Sequence, residues 1–83
     1  ISGLRKQTDG SFLVDGKYTI RDLNRQLDWL LPDEEAATVA GLVLHEARII
    51  PDVGQTFIFH GVRFEILKRQ RNQITLLKVR KWD

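Results

Sequence analysis

Between residues 56 and 81 apolar and polar side chains alternate every second residue, and the pattern is interrupted at Gly61 and at 70–73. Successive side chains of a strand point to opposite faces, so a period of two marks strands with one buried side. The pattern predicts strands over 56–60, 62–68 and 74–81, joined by a tight reversal at Gly61 and a second turn at 70–73. Val62, Phe64 and Ile66 fall on one face, with Arg63, Glu65 and Lys68 mostly on the other. Phe57 and Phe59 likewise share a side. The alternation slips at Leu76-Leu77, where both residues are apolar, and a bulge there accounts for it. A meander of this kind must find a cover for its apolar face.

Two helices are the expected cover. In "YTIRDLNRQLDWLL" Thr19 is placed to accept from the backbone three residues on and Asp22 to reach back, a capping-box pattern. Ile20, Leu23, Leu27, Leu30 and Leu31 follow helical spacing, and Pro32 is the expected stop. A second helix is expected to start at Asp33, with Glu34 and Glu35 near its positive end, and to run through "EEAATVAGLVLHEAR". Gly41 costs about 1 kcal/mol relative to Ala inside a helix, and close contact with a neighbouring element is the usual reason for such a residue. Upstream, Asp9-Gly10 and Asp15-Gly16 bracket a short strand, Ser11-Phe12-Leu13-Val14.

The chain has 83 residues, enough for one domain. Cys is absent, which excludes disulfides, thiolate metal sites and a Cys nucleophile. Met is also absent, so the chain reads as a piece of a longer protein. No apolar run approaches the roughly 20 residues of a membrane span. The net charge of +2 conceals an asymmetry. Residues 1–55 hold six basic and nine acidic side chains, and residues 56–82 hold seven and one. Attraction between the two halves is the plainest reading of the basic segment.

No catalytic constellation is evident. His45-Glu46 lacks the second His at position 49 that a zinc-protease helix requires, because Ile stands there. His60 is the only other His, and both read as ordinary surface or half-buried residues. Asp33, Glu34 and Glu35 read as helix-dipole complements rather than a cation cluster. Ser2 and Ser11 have no His partner nearby in sequence, and neither a phosphate loop nor a dinucleotide fingerprint is present. For nucleic acid, Phe57, Phe59, Phe64 and Trp82 interleave with Arg63, Lys68, Arg69 and Arg71. The strand pattern assigns those Phe residues to the core instead. It leaves the basic side chains as the wet side of a sheet.

The run "LPDEEAATVAGLVLHEARIIPDVGQTFIFHGVRFEIL" resembles the CorC/HlyC transporter-associated domain. The resemblance rests on Leu31-Pro32, Thr38-Val39-Ala40-Gly41, Ile50-Pro51, Gly54, an aromatic-rich strand, a turn Gly and "FEIL". Upstream, "DGSFLVDGKYTIRDLN" is similar to the family's opening strand and first helix. Ala47 departs from the pattern, where many relatives have Gly. The resemblance extends from about Asp9 to Lys81, which leaves 1–8 as a flexible lead-in and 9–83 as the domain.

The resemblance implies an α+β fold, two helices packed on a small, mainly antiparallel sheet in the order β-α-α-β-β-β. It also implies a non-catalytic accessory or regulatory role. In this family the domain is a cytoplasmic tail, on the inner side of the cell membrane, of proteins linked to magnesium and cobalt efflux. There it follows membrane spans and a CBS pair. A similar subdomain occurs in FAD-binding flavoenzymes, so an FAD or adenine-nucleotide module is the alternative. No cofactor is expected from the residues themselves, since fold analogy does not supply a site. Expected partners are other domains of the same polypeptide, with a homo-oligomer and an anionic membrane surface left open, and nucleic acid disfavoured. Arg63, Lys68, Arg69 and Arg71 are the candidate contact residues, and no catalytic or metal-binding residue is assigned.

Overall fold

In the computed structural model, which describes residues 2–82, five antiparallel strands form one sheet and two helices lie against one of its faces. The strands are β1 (Leu4–Lys6), β2 (Phe12–Asp15), β3 (Thr56–Phe59), β4 (Val62–Gln70) and β5 (Gln73–Lys81). The helices are α1 (Ile20–Leu27) and α2 (Val39–Ala47). The spatial order is β1-β2-β5-β4-β3. The α+β class and the expected order are present, with one strand added in front. Leu4–Lys6, assigned above to a lead-in, pairs with Phe12–Val14 through Leu4↔Val14, Arg5↔Leu13 and Lys6↔Phe12. Leu4 packs on the core, so a single apolar residue anchors a strand too short to show a period.

The inward residues of the sheet are those of the alternation. Val62, Phe64, Ile66, Leu77 and Val79 are buried, and they meet Ile20 and Leu23 of α1 and Val39, Leu42 and Val43 of α2. Each such side chain contributes on the order of 1.5–3 kcal/mol when fully buried. Of the Leu76-Leu77 pair, Leu77 is core, while Leu76 lies opposite Lys68 and Asp15 on the other face. The register slips between Ile66 and Lys68, and again between Lys68 and Arg69. The extra residues are Leu67 on β4 and Thr75 on β5, so the slips have opposite sense and cancel.

Both helix boundaries differ from expectation. Helix α1 ends at Leu27, five residues before Pro32, because Asp28 takes a left-handed conformation (φ 58°). The Asn24 side chain then fixes the reversed chain: its Nδ2 donates to the Leu31 carbonyl and its Oδ1 accepts from the Leu31 N–H, both at 2.9 Å. Leu31 and Trp29 are thereby buried and Leu30 is left in solvent. Helix α2 starts at Val39, not Asp33. The cap is Thr38, whose hydroxyl accepts from the Gly41 N–H at 3.1 Å, and no acidic residue lies in the first turn. The two capping residues pair across an antiparallel bridge, Thr19↔Thr38, so the helices start side by side. At Gly41 the close neighbours are the Thr38 hydroxyl and Ala36, from the segment leading into α2.

Gly16 is more than a turn residue. Its N–H donates to the Thr75 carbonyl at 3.0 Å, and its own carbonyl accepts from Ala40 at 3.0 Å. A Cβ at position 16 would lie 1.9 Å from the Ile74 carbonyl oxygen. Backbone atoms cannot rotate away as a side-chain tip can, so overpacking here falls at or beyond the upper end of the usual 1–3 kcal/mol. Gly16→Ala is expected to cost about 3 kcal/mol and to lower the melting temperature by roughly 10 °C or more in a domain of this size. Gly10→Ala, where the added carbon meets nothing but φ is +88°, should cost no more than about 2 kcal/mol. Thermal denaturation followed by circular dichroism ranks the two, and equal losses would contradict this account.

Candidate functional site

The helices cover one face of the sheet, and the opposite face carries the charged residues of the alternation. One row across it reads Arg5–Leu13–Lys78–Glu65–Thr56, and the next reads Arg80–Arg63–Ile58. Arg63 and Arg80 are therefore direct cross-strand neighbours. Like charges in that relation oppose folding. Two contacts soften the cost: Arg63 Nη1 lies 3.6 Å from Glu65, and its guanidinium lies 5.8 Å from the centre of the half-exposed Trp82 ring. Lys68 lies opposite Leu76 and is exposed, with no ion-pair partner among the described residues.

The four candidate residues do not form one surface. Arg63 and Lys68 share the open face. Arg69 lies opposite the buried Ile74 and is tied down on the far side. Its Nη1 donates to Asp52 Oδ1 at 2.8 Å and to the Pro51 carbonyl at 3.3 Å, and its Nε donates to the Arg71 carbonyl at 2.7 Å. Arg71 sits at the tip of the β4–β5 turn with φ 57°. Arg80, Lys78 and Arg5 join Arg63 and Lys68 on the open face. For Lys78 and Arg80 the signal was in the sequence, since Lys78, Arg80 and Trp82 alternate with the core residues Leu77 and Val79.

Lys78 Nζ lies 3.1 Å from Asp9, whose carboxylate also accepts from the Ser11 hydroxyl and N–H. The Ser11 bonds first, then Lys78, hold the Asp9 carboxyl well below the usual carboxylate range.

Two of the surface hollows lie at the two ends of α2. The larger, about 490 Å3, lies between Gly16 and Lys17, the start of α2, and Asn72 to Thr75. A helix start in a cleft suggests an anion site, but these N–H groups are already engaged. Val39 donates to Tyr18, Ala40 to Gly16, Gly41 to Thr38 Oγ1 and Leu42 to the Thr38 carbonyl. A phosphate would have to displace them. The smaller hollow, about 170 Å3, is lined by Glu34, Glu35, His45, Glu46 and His60. There His60 Nε2 lies 2.6 Å from Glu46 Oε2, a pairing 14 residues apart that the sequence did not disclose. Among the described residues no three His, Asp or Glu side chains assemble into a cation site.

Arg69→Ala should cost about 1–2 kcal/mol, because one side chain holds three acceptors on two loops. Lys68→Ala on the open face should stay within about 0.5 kcal/mol. Urea denaturation distinguishes them, and the reverse order would refute the assignment of Arg69 to the fold. A depressed carboxylate stabilises the fold above its unfolded pKa, about 3.9, and that stabilisation fades as pH falls toward the folded value. The difference in melting temperature between the native chain and Asp9→Asn should therefore be largest near neutral pH and shrink below about pH 4.

The chain matches the CorC/HlyC transporter associated domain over residues 5–83. A UPF0053 protein of Haemophilus influenzae is 40% identical over 74 residues, 89% of this chain and 18% of that protein. The UPF0053 inner membrane protein YfjD of Escherichia coli is 36% identical over 73 residues, 88% of this chain and 17% of that protein. The chain thus spans less than a fifth of the length of either relative. Among solved structures, a functionally unknown conserved protein from H. influenzae superposes with a TM-score of 0.91 at 39% identity, covering 96% of this chain and 99% of that one. A domain from a Xylella fastidiosa hemolysin, solved in complex with Mg2+ and Mn2+, superposes with a TM-score of 0.84 at 29% identity, covering 99% of this chain and 100% of that one. With the fold, the motif order and the match over nearly its whole length in agreement, this chain belongs to the CorC/HlyC transporter-associated domain family.

Proposed function

We propose that this domain is a non-catalytic regulatory module on the cytoplasmic side of a membrane ion transporter related to magnesium and cobalt efflux proteins. It acts through its open sheet face on other domains of the same polypeptide. The observation that carries this reading is the open face itself. Arg63 and Arg80 are held side by side at a cost to the isolated fold, and an acidic surface on a neighbouring domain would relieve that repulsion. The engaged N–H groups at the start of α2 count against the FAD or adenine-nucleotide alternative, because a dinucleotide needs donors for its phosphates. The open face offers cations, but its aromatic residues other than Trp82 are turned to the helices, so the stacking platform of a single-strand binder is missing.

No helix among the described residues is long and apolar enough to cross a membrane. An ion path therefore runs through other parts of such a transporter, and this domain influences it only by favouring one conformation over another. A coupling of about 1–3 kcal/mol would shift the balance between two conformations roughly 5- to 150-fold. Ion flux into vesicles containing the full-length transporter tests the reading. Deleting residues 4–82 should alter the rate, regulation or assembly of transport and leave ion selectivity unchanged. Reversing Arg63, Lys68 and Arg80 to Glu should reproduce part of that effect while the isolated domain still folds. A changed preference between Mg2+ and other divalent ions on deletion would refute it, since part of the ion site would then lie here.

A further inference from the structure

The sheet has two free edges, β1 and β3, and they are built differently. Exposed edges template pairing with other chains, and folded proteins guard them with charge, Pro, bulges or brevity. Strand β1 is guarded: it is three residues long and carries Arg5 and Lys6. Strand β3, Thr-Phe-Ile-Phe, is also short, at four residues, but has none of the other devices. It is uncharged, lacks Pro, and pairs with β4 in unbroken register from Thr56↔Glu65 to Phe59↔Val62.

The pairing pattern shows which backbone groups are free. The His60-Gly61 turn, with φ of 56° and 76°, closes a two-residue hairpin, so Phe59 and Phe57 bond toward β4. The Gln55 carbonyl, two residues before Phe57, accepts from Ile66 at 3.0 Å and confirms the phase. The N–H and C=O groups of Thr56 and Ile58 therefore point to the open edge. Ile58, on the open face of this strand, is one of six large apolar side chains that are exposed among the described residues.

We propose that β3 pairs antiparallel with β3 of a second copy of this chain, about a two-fold axis through Ile58, fusing two five-stranded sheets into one of ten strands. Register and charge favour a second copy as the occupant. Residues opposite each other in an antiparallel pair share a face, so the copies must align inner with inner. Centring on Ile58 does this: Phe57 of one copy lies opposite Phe59 of the other on the helix side, and Ile58 lies opposite Ile58 on the open side. The nearest basic residue on that face, Arg63, is one strand in. Two copies of Arg63 then stand three strand spacings apart, about 14 Å, beyond a screening length of about 8 Å at physiological salt. Pairing β1 with itself would instead bring Arg5 or Lys6 within about 5 Å of its own copy. Association therefore stops at two.

The 83-residue chain is suited to the test, since relatives of this length have been solved as separate domains. Sedimentation equilibrium up to about 1 mM should show a monomer–dimer equilibrium, as expected for a small interface. Ile58→Lys sets two ammonium groups against each other at the axis and should raise the dissociation constant at least tenfold, with unchanged circular dichroism and a melting temperature lowered by no more than roughly 8 °C, since the new ammonium also faces Arg63 of its own chain. The chain has no Cys, so Ile58→Cys reports the register directly. Facing Cα atoms at about 5.5 Å suit a disulfide, and oxidation should link this variant much faster than Thr8→Cys, on the exposed β1–β2 turn. A chain that stays monomeric at about 1 mM, a dimer indifferent to Ile58→Lys, or equal cross-linking of the two Cys variants would each overturn the proposal.

Discussion

The architecture depends on one close approach of backbone to backbone. The carbonyl oxygen of Ile74 occupies the place where residue 16 would carry a Cβ, so only Gly can stand there. Through that approach the end of β2 reaches β5 by the Gly16–Thr75 bond and reaches α2 by the Ala40–Gly16 bond. Thr75 is the extra residue of the β5 bulge, and the bulge presents its carbonyl to Gly16. The Thr19↔Thr38 bridge then fixes where both helices begin. Strand, helix and bulge thus meet at a single residue with no side chain, and the N–H groups at the start of α2 are consumed in the meeting. What looks in outline like an anion-binding helix start is a structural joint.

Placing both helices on one face leaves the other bare, and the charge distribution follows. The seven basic residues of 56–82 do not simply neutralise the acidic first half. Among the described residues two Lys or Arg side chains of the second half pair with carboxylates of the first, Lys78 with Asp9 and Arg69 with Asp52, and both have structural duties. The first holds the β1–β2 turn against β5, and the second holds the loop after α2 against β4. Arg63 finds Glu65 within its own strand. Lys68, Arg71, Arg80 and Lys81 have no ion-pair partner among the described residues, although Lys81 lies 5.9 Å from the Trp29 ring centre. Self-attraction thus accounts for part of the basic segment, and the remainder is concentrated on β4 and β5.

The strands were legible because a sheet with one buried face writes its period into the sequence, and Val62, Phe64 and Ile66 kept that period under tertiary packing. The helix boundaries were not, because side-chain bonds with no sequence period decide them. Asn24 reaches seven residues ahead to Leu31, which overrides the apolar spacing that had placed Leu30 and Leu31 in α1. Thr38 outcompetes Asp33 as a cap because its hydroxyl meets the Gly41 N–H while its backbone pairs with Thr19. Strand β1 was invisible for a different reason: three residues with two charges carry too little signal. On the site side, alternation identified Arg63 as outward, whereas Lys68 was placed outward for its charge, against the strict period, and the slip after Ile66 puts it there. The duty of Arg69 rested on a loop 17 residues away and required coordinates.

Arg69 also shows why a basic cluster in sequence is a poor unit of function. Lys68 and Arg69 are adjacent, and the slip between Ile66 and Lys68 turns the first to the open face and the second to the Pro51-Asp52 loop. Without that slip, strict alternation from Ile66 would send Lys68 inward, against the core, and leave Arg69 in solvent. A buried lysine without a partner costs several kcal/mol, so the bulge at Leu67 is what makes this sequence compatible with the sheet. The same irregularity that lets the fold close therefore also decides which cations of β4 a partner can reach.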